Sequence, residues 1–143
     1  MEAGEPGNAP VRIALPAAPP NLAVVRQLLS GVASAVGMRK EQLDDVKVAV
    51  TEACTNVVVH AYRGDEPGQL LVDAWAEQDR LVVLVRDEGQ GMSPRADRRS
   101  PGLGLGLRMM ATLASDLSIS SEAGRGTDVW MTFALEPEGA AAG

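Results

Sequence analysis

Residues Val46 to Tyr62 read VKVAVTEACTNVVVHAY and form the most informative segment of the chain. Glu52, Asn56 and His60 stand four positions apart in it, among mostly apolar residues. A spacing of four places side chains above one another on one face of an α-helix. The stretch therefore predicts a largely buried helix that carries a polar stripe, and the rest of the chain must supply what that stripe faces.

The composition fits a cytoplasmic globular domain. The length of 143 residues suits one domain, and a hydrophobic fraction of 45% argues against wholesale disorder. A net charge of −6 excludes the basic surface typical of direct nucleic-acid binding. No apolar run reaches the roughly 18 residues of a membrane span, and the N-terminus lacks the pattern of a secretory signal. We expect a cytoplasmic protein without a membrane partner.

The cysteine and histidine content excludes a zinc cluster. The chain has one cysteine, Cys54, and one histidine, His60, which is too few for such a site. Cys54 lies inside the apolar helix, so we expect a buried, inert thiol.

The order of elements predicts the fold class. Two helices precede a hairpin: the first is capped by Asn21 and ends at Gly37, and the second ends near Tyr62. Three segments before the third helix read as strands: Val11–Leu15, Gln69–Ala76 and Arg80–Arg86. Met92–Gly102 reads as a loop that leads into the third helix, and the last two strands after that helix are Leu117–Ser121 and Asp128–Leu135. Because the strands cluster in hairpins, we expect an α+β two-layer sandwich with a mixed, mostly antiparallel sheet and helices on one face. Residues 1–10 and 136–143 are expected to be flexible segments flanking a domain at 11–135.

Two glycine motifs follow the hairpin. In Asp87-x-Gly89-x-Gly91 a carboxylate at a strand end accepts a hydrogen bond from an amino group, while the glycines allow close backbone approach; the alternative is a plain surface turn. Gly102-x-Gly104-x-Gly106 opens the third helix, where free N–H groups suit phosphate; the alternative is a hinge. Neither a dinucleotide fingerprint nor a Walker-type loop fits the second motif.

The polar stripe also admits two interpretations. Glu52 is suited to act as a general base, and the amide oxygen of Asn56 suits Mg²⁺. The alternative is that both side chains only face solvent, although the apolar residues 57–59 that follow indicate a covered helix. For His60 a structural hydrogen-bonding role is expected. A further motif, Gly126-Thr127, reads by itself as part of a hairpin turn.

Taken together in this order, these motifs resemble the GHKL ATP-binding fold of gyrase, the heat-shock chaperone and histidine-kinase catalytic domains. The Glu52-Ala-Cys-Thr-Asn56 form of the helix is similar to that of the bacterial anti-sigma-factor serine kinases. The resemblance runs from about Val11 to Leu135. The chain lacks a helical hairpin with a phospho-accepting histidine, which excludes a complete sensor histidine kinase.

The resemblance implies a role for each matching residue. Glu52 would be the catalytic base, Asn56 the Mg²⁺ ligand, and Asp87 with Thr127 the adenine-binding pair. The nucleotide-binding residues would be Asn56, Asp87, Gly89, Gly91, Met92, Leu103, Gly104, Leu105, Gly106 and Thr127. The stretch from Met92 to Leu103 would be a lid over the phosphates, and its arginines, Arg95, Arg98 and Arg99, are candidates for a γ-phosphate contact.

The function that the resemblance implies is an ATP-dependent protein serine/threonine kinase that doubles as an anti-sigma factor. Its substrate would be a small anti-sigma-factor antagonist and its second partner a sigma factor. A homodimer is expected, with the first strand as a possible pairing edge. Two alternatives stay open: a non-catalytic module in which nucleotide gates protein binding, and a kinase of the same fold in another bacterial signalling switch.

Overall fold

The computed structural model describes residues 11–62, 68–89 and 101–135, with the backbone alone for residues 101–104. The five strands and three helices follow the predicted order: β1 (Val11–Pro16), α1 (Asn21–Val36), α2 (Lys40–Asn56), β2 (Gln69–Glu77), β3 (Arg80–Asp87), α3 (Pro101–Leu113), β4 (Asp116–Glu122) and β5 (Gly126–Ala134). None of these helices is long and apolar enough to cross a membrane.

The strands form one sheet in the order β1-β2-β3-β5-β4. Every pair in it is antiparallel, so the sheet has none of the parallel pairs that a mixed sheet would contain. Tight turns join only two of these pairs, β2 with β3 and β4 with β5, whereas helices separate β1 from β2 and β3 from β5 along the chain. In the register of β3 and β5, Asp87 lies opposite Thr127. The two residues predicted to bind adenine are therefore direct neighbours on adjacent strands, and β1 lies at an edge as expected.

The hydrophobic core lies between the sheet and the helices. Strand β3 alternates as a one-sided sheet requires: Leu81, Val83 and Val85 belong to the core under the helices. Val82 and Leu84, which alternate with them, join a second apolar cluster on the opposite face together with Trp75 and Trp130. The α+β two-layer class predicted from the sequence is thereby confirmed, with the helices on one face.

Helix α1 begins differently from the prediction. Asn21 does not cap it: the residue at the cap position is Pro20, and no side chain satisfies the first N–H groups. The Asn21 amide instead donates a hydrogen bond of 2.7 Å to the carbonyl of Pro16, because the double proline has already set the helical turn. At the other end the prediction is confirmed, since Gly37 closes the helix with φ 73°.

Helix α2 ends in a wider turn that was not predicted from the sequence. From Val57 to Ala61 the backbone adopts a π-helical turn before extended Tyr62. Within this turn Val57 is buried, whereas Val59 is 59% exposed. The wider turn changes the angular step per residue, so the face after Asn56 no longer follows the α-helical register.

The third helix includes residues that were predicted to belong to the preceding loop. Helix α3 begins at Pro101, so the last two residues of the predicted Met92–Gly102 loop are helical. Proline is favoured in the first turn of a helix, which explains the start. The remainder of the predicted lid, together with Gly91, Met92 and the three arginines, lies outside the described residues.

Candidate functional site

The polar stripe of α2 faces helix α3 at a glycine. Glu52 and Asn56 are both half-buried. A Cβ placed on Gly106 would lie 2.9 Å from Glu52 Oε1 and 3.8 Å from the amide atoms of Asn56. Residue 106 therefore lies close to the ends of both side chains, and a side chain there would displace the Glu52 carboxylate. The alternative in which Glu52 and Asn56 face only solvent is wrong, since α3 lies against both.

The glycines of α3 occupy two different places. Gly106 is buried in the second turn of the helix, where backbone N–H groups bond within the helix. The N–H groups without an internal partner belong to the first turn, at residues 102–104, since Pro101 has no N–H. Leu105 is 60% exposed. Phosphate binding by Leu103, Gly104, Leu105 and Gly106 stays a prediction, and Gly106 in addition lies against Glu52, which the motif did not reveal.

Asp87 occupies a buried corner at the end of β3, with only 7% of its surface exposed. Its Oδ1 accepts a hydrogen bond of 2.9 Å from the N–H of Gly89. Burial raises the pKa of this carboxyl, backbone hydrogen bonds from Gly89 and Thr127 oppose the rise, and nearby Asp128 adds to it. Backbone donors thus hold the carboxylate from two sides, and its remaining lone pairs can accept from a ligand.

Thr127 extends the corner onto β5 and β4. It is 7% exposed, and its hydroxyl lies 3.0 Å from the Oγ of Ser121. The register places Ser121 directly opposite Thr127. Ser121 was not predicted as a site residue; the alternation of β4 could have shown that it shares a face with Thr127 once the pairing was known.

Two glycines make the corner possible. A Cβ on Gly89 would lie 2.0 Å from the carbonyl oxygen of Ala61, at the end of the π-helical turn. At Gly126 φ is 109°, and a Cβ there would lie 2.1 Å from the carbonyl oxygen of Asp87. Both positions bring backbone against backbone, which only glycine permits. Gly89 therefore joins the end of the α2 segment to the Asp87 corner.

Tyr62 is a second link that was not predicted from the sequence. Its hydroxyl donates a hydrogen bond of 2.6 Å to the carbonyl of Gln69 and accepts one of 2.9 Å from the N–H of Glu88. Its partners are 7 and 26 residues away, so no local pattern could reveal them. His60 lies half-buried in the π-helical turn, and its structural role stays a prediction.

The described site residues thus form one continuous line along the α2 segment. At one end Glu52 and Asn56 face Gly106 of α3. At the other, Ala61 contacts Gly89 next to Asp87. Glu52 and Asn56 thus lie beside α3, and the buried carboxylate of Asp87 lies beside the π-helical turn that ends the α2 segment. Among the described residues no cluster of three or more acidic, cysteine or histidine side chains could hold a metal ion by itself.

Comparisons with known proteins identify the family of this chain. The family of histidine kinase-like ATPase domains matches residues 15–133. The serine-protein kinase RsbW of Bacillus subtilis is 37% identical over 80% of this chain and 79% of its own length. RsbW of Bacillus pumilus is 36% identical over 90% and 87%, and RsbW of Listeria monocytogenes is 33% identical over 80% and 81%.

A solved structure has the same fold. The crystal structure of the RsbU and RsbW domains of a Mycobacterium tuberculosis protein superposes with a TM-score of 0.71 at 26% identity, over 90% of this chain. The matched region is 33% of that longer chain. Family, relatives and fold agree, and the chain belongs to the histidine kinase-like ATPase domain family, in the group of the RsbW serine-protein kinases.

Proposed function

We propose that this protein is an ATP-dependent protein serine/threonine kinase that acts as an anti-sigma factor. The observation that supports the proposal best is the contact of Gly106 with Glu52 and Asn56, because it brings a carboxylate and an amide, the proposed base and the proposed metal ligand, together beside a glycine-rich helix. Half-burying two polar side chains costs free energy that apolar residues at the same positions would avoid, so packing alone does not account for this pair. In this proposal the nucleotide extends from the Asp87 corner to that pair.

The Asp87 corner is the proposed binding site for the adenine ring of the nucleotide. A carboxylate accepts hydrogen bonds, and the exocyclic amino group of adenine donates them. Thr127 and Ser121 offer hydroxyl groups beside it, with their oxygens 3.0 Å apart. Gly89 lets the backbone after Asp87 pass directly against the Ala61 carbonyl, which fixes the corner beside the proposed adenine position.

Asn56 is the proposed ligand of Mg²⁺. An amide oxygen is a hard donor, and Mg²⁺ commonly takes one or two protein oxygens together with waters and phosphate oxygens. One such residue beside an acidic side chain therefore fits the ion, although it could not hold the ion without nucleotide. When bound, Mg²⁺ would neutralise phosphate charge during transfer.

Glu52 is the proposed general base. Held half-buried against α3, its carboxylate would accept the proton of the attacking serine or threonine hydroxyl and orient that oxygen toward the γ-phosphate. Leu103, Gly104 and Leu105 at the start of α3, with Gly91 and Met92 before it, are proposed to border the phosphates.

The partners belong to the same proposal. The substrate is a small anti-sigma-factor antagonist protein, the second partner is a sigma factor, and the kinase is a cytoplasmic homodimer. The location of β1 at the edge of the sheet supports a pairing surface.

The test mixes the purified protein with Mg²⁺, γ-labelled ATP and the antagonist from the same host. The proposal expects label on one serine or threonine of the antagonist and loss of the transfer on chelation of Mg²⁺. Capture of the sigma factor by the kinase should weaken when unphosphorylated antagonist is added. Tight ATP binding with no label on the antagonist would instead favour a nucleotide-gated binding module.

A further inference from the structure

We propose that Tyr62 is a positioning residue that sets the selectivity of the Asp87 corner for adenine over guanine. The inference rests on the proposed nucleotide site and adds to it a residue that touches neither phosphate nor the reacting atoms. Three observations carry it: the two hydrogen bonds of the hydroxyl, the seat of the ring, and the order of backbone donors after Asp87.

The hydroxyl of Tyr62 makes two hydrogen bonds, as donor in one and as acceptor in the other, and these connect the ends of two strands. It donates to the carbonyl of Gln69 at the start of β2 over 2.6 Å and accepts from the N–H of Glu88 over 2.9 Å. Glu88 directly follows β3. A residue at the end of the α2 segment therefore ties together two strand ends that meet at the corner.

The second of these bonds acts on Asp87. The N–H of Glu88 belongs to the peptide unit that joins it to Asp87, and the next N–H, that of Gly89, donates 2.9 Å to Asp87 Oδ1. Fixing the first peptide unit restricts the direction of the second, because only two soft dihedral angles separate them. Tyr62 thus controls the orientation of the carboxylate through the backbone that follows it.

The ring of Tyr62 is seated independently of the hydroxyl. A Cβ on Gly68 would lie 2.1 Å from ring atom Cε1, so the ring packs directly on the backbone there. Burial raises the pKa of the Tyr62 hydroxyl, which therefore stays protonated at neutral pH and keeps its donor. Replacement by phenylalanine should keep the ring in place and remove only the two hydrogen bonds.

Chemistry then links this corner to base selectivity. At the position where adenine carries an amino group, guanine carries a carbonyl oxygen. A carboxylate that cannot turn accepts from the amino group and repels the carbonyl, which leaves two buried acceptors facing each other. A carboxylate free to turn gains less from adenine and rejects guanine less.

The test measures ADP and GDP dissociation constants by calorimetry for the full chain, Tyr62→Phe and a control. Ser115→Ala is the matched control, because it also removes a hydrogen bond between a side chain and the backbone, of 3.0 Å, at the opposite end of β5. For Tyr62→Phe we expect the ADP dissociation constant to rise about tenfold with little change for GDP, so that the ratio of the GDP constant to the ADP constant falls about tenfold. In turnover assays the defect should fall on KM for ATP.

The outcomes separate the inference from the function on which it rests. A Tyr62→Phe protein with an unchanged ADP/GDP ratio overturns the inference, whether both affinities stay constant or both weaken equally. A fall of the ratio in Ser115→Ala as large as in Tyr62→Phe overturns it as well. Failure of the unmodified protein to bind ADP overturns the proposed nucleotide site itself.

Discussion

Gly106 of α3 lies against the Glu52 carboxylate of α2 so closely that a methyl group at residue 106 would come within 2.9 Å of Oε1. Glycine inside a helix costs about 1 kcal/mol relative to alanine. Gly106 lowers the helix stability of α3 at the position where that helix lies against Glu52 and Asn56 of α2. The contact therefore connects the glycine motif to the chemistry proposed for Glu52.

Gly106→Ala should separate stability from activity. The added methyl meets the far end of a flexible side chain, so Glu52 can move and the gain in helix propensity offsets the clash. We expect the free energy of unfolding to change by less than about 1 kcal/mol. The displaced carboxylate should slow phosphoryl transfer about 10- to 100-fold. Urea denaturation and a single-turnover transfer assay measure the two effects.

Gly31→Ala is the matched control for that substitution. Gly31 lies in α1 with nothing within 4 Å of an added Cβ. It should stabilise the protein by about 1 kcal/mol and leave the transfer rate unchanged. Equal rates in the two variants would mean that the position of Glu52 does not limit transfer.

Gly126→Ala should be severely destabilising, in contrast to Gly124→Ala. Both glycines have positive φ, 109° and 82°, but only at Gly126 would a Cβ meet backbone, 2.1 Å from the carbonyl oxygen of Asp87. Gly124→Ala should cost about 1–2 kcal/mol for the backbone conformation alone. Gly126→Ala should cost several kcal/mol in total and abolish ADP binding. Similar urea midpoints for both variants would contradict the close approach.

Asp87→Asn should stabilise the nucleotide-free protein at neutral pH. Burial raises the pKa of Asp87 above its ordinary value of 3.8. Between that value and the raised one, the folded state binds more protons than the unfolded state, so stability falls as pH rises. Asparagine cannot ionise and avoids this loss.

The pH dependence of melting tests this sign. The melting temperature of Asp87→Asn should exceed that of the unmodified protein at pH 7, and the difference should shrink as the pH falls toward about 4. ADP binding should be lost, because the amide presents a donor as well as an acceptor. A variant that is less stable at pH 7 would show that the backbone donors of Gly89 and Thr127 stabilise the buried charge by more than burial costs it, which reverses the sign.

Cys54 should be unreactive in the folded protein. It is fully buried in α2, and burial raises the pKa of its thiol to about 12, whereas the thiolate is the reactive form. Because it is the only cysteine, labelling by a disulfide reagent at pH 8 reports directly on unfolding. We expect labelling to follow the urea transition, and rapid labelling without urea would contradict this packing.

The features that could be predicted from the sequence depend on local pattern. The polar stripe, the β2–β3 hairpin and the closure of α1 at Gly37 follow from spacing, a short turn and the left-handed freedom of glycine. The carboxylate at the end of β3 was also predicted, because it ends an apolar run before two glycines. These features need only residues a few positions apart.

The features that could not be predicted depend on residues brought together by the fold. The π-helical turn at Val57–Ala61 has no local signature, and it places the Ala61 carbonyl against Gly89. The links made by Tyr62 and Ser121 exist only once the strand pairing is known. Asn21 was mistaken for a cap because its residue type favours that role, whereas Pro20 already occupies the position.

The most direct test of the proposed mechanism compares phosphoryl transfer by the unmodified protein and Glu52→Gln. Both would be saturated with ATP and Mg²⁺ and mixed with excess antagonist in a single-turnover assay. Loss of a general base should slow transfer about 10²- to 10⁴-fold while the ADP dissociation constant stays within about twofold. Transfer by Glu52→Gln at the rate of the unmodified protein would contradict the role of Glu52 as the base, and with it the central claim.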